Sequence, residues 1–311
     1  MPNLDAATPL PPLEDPSFNS AANPAISDLS PTEDPSKPAW GVGGSLLVWI
    51  ASIVLVLFMP LLFLIPYASY KGIHFGGADY FPALVQLATN DKTALLLQIL
   101  ALFPTHLLTF LMVWALITRF GRRSFWAAIG WEWTPQFPWW LEVLVSVMLG
   151  VVLFAIGSLI AKLLGAEKPT QLEMLINSSL AARYAISFLA VFTAPFAEEL
   201  VYRGMLFAPL ERLAGTRSAV VIVLALFTLI HVPQYWPNMG VIAAVALLSI
   251  VLTLVRAYSG RLLPCVVIHF VFNGIQAILL ALEPFVRRSL PTPQQLAPTA
   301  GLLLTLINFR F

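Results

Sequence analysis

The chain has 311 residues, 59% of them hydrophobic and 11% charged, with a formal net charge of +1 and a mean hydropathy of +0.83. Soluble domains carry about 25% charged residues, so this composition excludes a soluble globular protein and defines a polytopic membrane protein. The near-neutral total conceals six acids against one base in residues 1–40; the small basic excess of the remainder argues against a nucleic-acid partner and leaves the lipid bilayer as the constant one.

Residues 1–40 hold nine prolines and many Ser, Asp and Asn, without apolar periodicity. Such a segment buries too little apolar surface to order itself and reads as a disordered acidic tail. A basic stretch leading into an apolar core is missing, so it is not a signal peptide. Seven apolar segments follow, each near the ~20 residues that cross a bilayer as a helix: 41–67, 93–118, 139–165, 183–211, 217–236, 239–258 and 261–283. A last run, 300–311, is short for a crossing and would form a half-span, an interfacial helix or part of an eighth span. The expected fold is therefore an all-α transmembrane helix bundle of seven or eight spans. Its parts are the tail (1–40), the first helices with an interfacial connection (41–138), a motif-bearing bundle (139–283) and a C-terminal tail (284–311).

Between the second and third spans lie Trp126, Trp131, Trp133, Trp139 and Trp140, a composition suited to the headgroup level, where indole rings are favoured. Arg119, Arg122 and Arg123, then Arg212 and Arg217, then Arg256 and Arg261 fall on one side if seven spans alternate. The positive-inside rule makes that side, and the N-terminus, cytoplasmic; Arg287 and Arg288 count the other way. The lone Cys265 sits in an apolar helix, where it forms no intrachain disulfide and acts as a small hydrophobe.

Against this background a few polar residues inside spans stand out. Glu198 and Glu199 lie in FLAVFTAPFAEELVYRGMLF, with Arg203 one turn on. Ionisable groups at such depth cost roughly 2.5–3.5 kcal/mol each on insertion scales and mark function more often than not. Glu199 and Arg203, four apart with acid before base, can pair along the helix. Glu198 points about 100° away on the helical wheel, which makes it the candidate active carboxylate and the pair its support. The plainer reading is a buried ion network that only holds helices together. In the fifth span Phe227 and His231 share a face; in the seventh His269 and Asn273 do. Each, taken singly, fits a core hydrogen bond equally well. At ~1.5 Å per residue from the nearest arginine-marked ends, however, all three helices place these groups in one slab roughly 9 Å thick.

Two hydrolytic schemes use such groups. In one, Glu198 and His231 deprotonate a water, while His269 and Asn273 donate to the tetrahedral oxyanion. In the other, Glu198, His231 and His269 ligate a divalent metal such as zinc, whose open position activates water. The single-helix H-E-x-x-H of soluble zinc proteases is absent, and spacing alone leaves both schemes open.

Glu198-Glu199-x-x-x-Arg203, Phe227-x-x-x-His231 and His269-x-x-x-Asn273 resemble, in order, the three motifs of the CPBP intramembrane protease family. That family includes type II CAAX prenyl endopeptidases and bacterial proteins of the abortive-infection (Abi) group. The resemblance covers roughly 139–283. It implies a membrane endopeptidase in a bacterial plasma membrane, acting on a membrane-associated protein or peptide. Its acid would be Glu198, its histidines His231 and His269, and its carboxamide Asn273, with Glu199, Arg203 and Phe227 supporting. It also implies the same choice between metalloprotease and metal-free glutamate chemistry.

Other polar residues carry structural readings. His106 can take a carbonyl freed by Pro104, Glu142 sits cheaply at a helix start, Lys162 snorkels, and Pro195 is placed to kink the fourth span. Two other function classes remain. A catalytically silent scaffold or immunity-type binding protein would tolerate loss of a motif residue, and all are present. A proton-coupled transporter would show paired interrupted helices in related halves, and no repeat is seen.

Overall fold

The computed structural model of the protein describes residues 40–77, 79–165 and 169–289, with side chains to residue 286. The expected acidic tail (Trp40 apart) and the apolar run 300–311 lie outside them. Among the described residues all regular structure is helical: α1 (Val42–Tyr70), α2 (Tyr80–Asn90), α3 (Lys92–Leu100), α4 (Leu102–Thr118), α5 (Phe125–Ala128), α6 (Trp139–Leu164), α7 (Gln171–Ser178), α8 (Leu180–Phe188), α9 (Ala194–Glu199), α10 (Phe207–Tyr235), α11 (Met239–Ser259) and α12 (Leu263–Ser289). Two π-helical turns, Leu189–Thr193 and Leu200–Leu206, join α8 to α9 and α9 to α10.

Among the described residues six helical stretches are long and apolar enough to cross a bilayer, one fewer than the seven read from sequence. The difference lies in the segments expected at 183–211 and 217–236. They run together as Leu180–Tyr235, 56 residues, about 84 Å if straight. The stretch is not straight, because Gly215 has φ 80° and ψ 161°, a region open essentially to glycine alone. On a straight helix Tyr202 and Phe227 would stand ~37 Å apart, yet their rings meet at 5.0 Å. The chain therefore doubles back at Gly215, and α10 lies along the π turn that precedes it.

That turn, Leu200–Leu206, is buried over its whole length and forms the middle of the core. Leu200, Val201, Tyr202, Met205 and Leu206 pack with Trp40 and Val48 at the start of α1, Val113 and Ile117 of α4, Val223 and Phe227 of α10, and Val241 and Val245 of α11. A second cluster joins Leu153 of α6, Leu248 and Leu252 of α11, and Cys265, Ile268 and Phe272 of α12. The Cys265 thiol is fully buried and donates to the Leu252 carbonyl at 3.4 Å.

The connection over 126–140 is more than interfacial filler. The Trp126 and Trp131 rings stand 5.2 Å apart, and Trp131 meets Phe196 of α9 edge-on at 5.7 Å. Two of the arginines that mark loop ends are bound into the fold. Arg256 is buried and donates to the carbonyls of Ile129 and Gly260, and Arg212 donates to that of Trp40. Glu142 accepts from the Thr134 N–H at 2.6 Å. Between α1 and α3, Asp91 caps α3 through the N–H groups of Thr93 and Ala94 and pairs with Lys71 at 3.4 Å. The Ala94 N–H above all holds its carboxyl below the usual carboxylate range. This cap therefore stabilises fully above the ordinary carboxylate pKa and fades as pH falls through the lowered one.

Small residues let the helices approach, as is usual where lipid supplies no hydrophobic drive. A Cβ on Gly240 of α11 would meet Ala161 Cα and O at 2.8 Å, both atoms of the facing α6 backbone, whereas one on Gly43 would meet nothing within 4 Å. Gly240→Ala should therefore destabilise the protein by about 1–3 kcal/mol. Gly43→Ala should leave it unchanged or slightly more stable, the comparison being made by thermal unfolding in detergent.

Candidate active site

Glu199 and Arg203 are both fully buried. Arg203 Nη1 donates to Glu199 Oε1 at 2.9 Å. Its Nε donates to Thr253 Oγ1 at 3.2 Å, and its Nη2 reaches Ser249 O at 3.0 Å and Oγ at 2.9 Å on α11. The guanidinium plane also lies 4.6 Å from the centre of the Phe227 ring, a cation–π geometry. Only arginine has donors in this fork-shaped arrangement, with a flat face to spare.

Glu199 Oε1 accepts a second bond, from His269 Nδ1 at 2.8 Å. A carboxylate only accepts, so His269 carries a proton on Nδ1 and its Nε2 is turned the other way. His231 is fixed by the same logic: its Nδ1 stands 2.7 Å from the Phe227 carbonyl one turn back, so Nδ1 is the protonated nitrogen and Nε2 is free. Phe227 holds both rings, at 4.5 Å from His231 and 6.2 Å from His269, and Tyr235 lies parallel to His231 at 6.2 Å on its other side.

The two free Nε2 atoms face one carboxylate. Glu198 Oε1 is 3.9 Å from His231 Nε2, and Glu198 Oε2 is 3.8 Å from His269 Nε2. Its side chain keeps 24% of its surface exposed, against full burial of its neighbour Glu199. Adjacent residues thus take opposite environments, as the 100° turn of a helix dictates: one carboxylate is neutralised in the core and the other opens toward two imidazoles.

Asn273 stands one turn beyond His269, but its Nδ2 donates to the Ala190 carbonyl at 2.9 Å. It is thereby tied to the π turn ahead of α9. The same turn receives His106, whose Nδ1 lies 2.8 Å from Thr193 Oγ1. The structure thus joins His106 to the π turn ahead of α9 rather than to the carbonyl freed by Pro104. Pro195 occupies the first turn of α9, and the fourth span is irregular on both sides of it.

Glu198, His231 and His269 stand somewhat wider apart than the donors of a bound zinc. Two donors on a tetrahedral zinc with ~2.1 Å bonds lie about 3.4 Å apart, less than either carboxylate–imidazole separation. Among the described residues no group of three or more His, Cys, Asp or Glu is arranged to hold an ion.

Fold and site together define a helical integral membrane protein with a carboxylate–imidazole cluster inside its bundle. Residues 180–275 match the model of the Rce1-like family, described as type II CAAX prenyl endopeptidase Rce1-like. The match spans about a third of the chain, contains all seven motif residues, and bears out the resemblance that those motifs carry. Nothing matches among curated proteins or solved structures.

The residues around the motif set were not legible from motif spacing: Ser249, Thr253, Tyr235 and Thr193 are ordinary residues in apolar helices, and His106 pointed only to a freed carbonyl. Ser249 and Thr253, four apart on α11, carried the one usable signal, a small polar stripe facing a buried cation.

Removing the cation alone leaves a buried carboxylate without compensation. Arg203→Met should therefore lower stability by about 3–5 kcal/mol, as read from unfolding in detergent. Glu199→Gln combined with Arg203→Met should recover part of that loss, because the uncompensated charge is gone.

Proposed function

We propose that the chain is an intramembrane endopeptidase that hydrolyses a peptide bond of a membrane-associated protein or peptide, with Glu198 as general base. One observation supports this reading above the others: the two oxygens of one partly exposed carboxylate each face the free Nε2 of a different, tautomer-fixed histidine at 3.8–3.9 Å. That separation is too long for a direct hydrogen bond and is readily bridged by a water.

In the proposed reaction a water donates one hydrogen to Glu198 and the other to His231 Nε2. Glu198 takes the first proton as the water oxygen attacks the scissile carbonyl carbon. Charge then develops on the carbonyl oxygen. For His269 to donate to that oxyanion its Nε2 must first take up a proton while Nδ1–H stays held by Glu199; Asn273 offers its remaining N–H. Collapse of the tetrahedral intermediate breaks the C–N bond, and the proton held by Glu198 passes to the leaving amine. Donors already fixed by Glu199–Arg203 and by Ala190 need no reorganisation as charge develops, which is where such sites gain most of their rate.

The family's name supplies the first substrate to try, a prenylated peptide ending in a CAAX sequence. The purified protein in liposomes should cleave a farnesylated CAAX peptide or, failing that, an unmodified membrane-inserted peptide. Glu198→Gln and His231→Ala should each lower kcat by at least about 100-fold while unfolding at the wild-type temperature. Undiminished cleavage by either folded variant would refute the assignment. A chelator titration of the wild type separates the metal-free scheme, which is indifferent to it, from a zinc-assisted one.

A further inference from the structure

Proline within a helix withdraws one N–H from the backbone ladder and orphans one carbonyl. Which carbonyl is orphaned depends on the local register. The turn ahead of α9 is in π register, for the Ala194 N–H donates to the carbonyl of Leu189, five residues back. The next N–H in that register would come from residue 195 and go to Ala190. Residue 195 is proline, so the Ala190 carbonyl has no backbone donor. Asn273 Nδ2, from α12, stands 2.9 Å from that oxygen.

We infer that Asn273 is a positioning residue for the general base: it replaces the N–H that Pro195 lacks and so docks the π turn, with Glu198 three residues beyond Pro195, onto the helix that carries His269. This inference rests on the endopeptidase reading and adds to it. The carboxamide does more than aim an N–H at the oxyanion; it sets where Glu198 sits relative to both imidazoles. Two further details agree. Thr193 Oγ1 in the same turn is held by His106 of α4 at 2.8 Å and bonds back to the Leu189 carbonyl at 3.3 Å. Pro195 itself is buried, where an unmet carbonyl nearby is costly. Pro209 likewise withdraws an N–H just after the second π turn, and the Met205 oxygen in that turn accepts from Trp40 Nε1 at 2.8 Å and Ser45 Oγ at 3.1 Å.

The test is a double-mutant cycle, using the peptide cleaved by the wild type in liposomes. Asn273→Ala should lower kcat by about 100-fold, the usual size of a misplacement near 1 Å, shift the acidic limb of the kcat/KM–pH profile and lower the unfolding temperature. Pro195→Ala supplies an N–H for Ala190. Combined with Asn273→Ala, it should restore at least a tenth of wild-type kcat, return the pH limb and recover the unfolding temperature. Pro195→Gly offers the same N–H if the alanine variant does not fold. A double variant no more active and no more stable than Asn273→Ala alone overturns the inference, as does full activity of Asn273→Ala. An oxyanion donor acting alone gives the first of these results, with an unmoved pH limb. The stability arm is read without any cleavage, so the docking can be judged even where Glu198→Gln proves active and the endopeptidase reading falls.

Discussion

The ion pair of Glu199 and Arg203 sits where neither lipid nor water reaches it, and the rest of the site is arranged around that fact. Two charges taken out of water are tolerable only when their remaining donors and acceptors are met. Arg203 meets this demand through Thr253, Ser249 and the Phe227 face, whereas Glu199 meets it at Oε1 alone, which accepts from Arg203 and His269, its buried Oε2 having no hydrogen-bond partner. The partners come from three helices, so satisfying one buried pair brings α10, α11 and α12 against the π turn. The geometry of the two imidazoles follows from this, since Phe227 carries His231 and Glu199 orients His269.

A second demand, no less strict in a bilayer, is that every main-chain oxygen has a donor. The fourth span breaks its own ladder twice, and each time a side chain from a distant helix steps in. The cost of an irregular backbone at membrane depth is thus offset by contacts that also fix tertiary structure. A regular helix without Pro195 and Pro209 would need no such help and would offer α12 and the start of α1 no open main-chain oxygen to bind.

Much of this was readable in the chain itself. The long apolar runs located the membrane helices, and the four-residue spacings of Glu199–Arg203, Phe227–His231 and His269–Asn273 placed each pair on one face. Hydropathy separated 183–211 from 217–236, and the chain does turn back between them at Gly215, although so tight a turn leaves the helical stretch formally continuous. The short helices α2 and α7 escaped because eight to eleven residues make little periodicity, although Thr170 and Glu173, which cap α7 reciprocally, form a recognisable S/T-x-x-E box. The π turns were invisible for a different reason. They come from what the neighbours offer, an amide at Ala190 and an indole at Met205, and not from the propensity of the residues that adopt them. Asn273 was seen, but its attachment to Ala190 required knowing the register of another helix.

The lone thiol of Cys265 is sealed beneath α11 and bonded to a main-chain oxygen. Maleimide and spin-label reagents need a reachable sulfur, so the natural chain already behaves as a blank for labelling. A single cysteine placed on an outward face can carry the only reporter, and distances between fluorophores or nitroxides can be measured without first stripping native sulfur from the bundle.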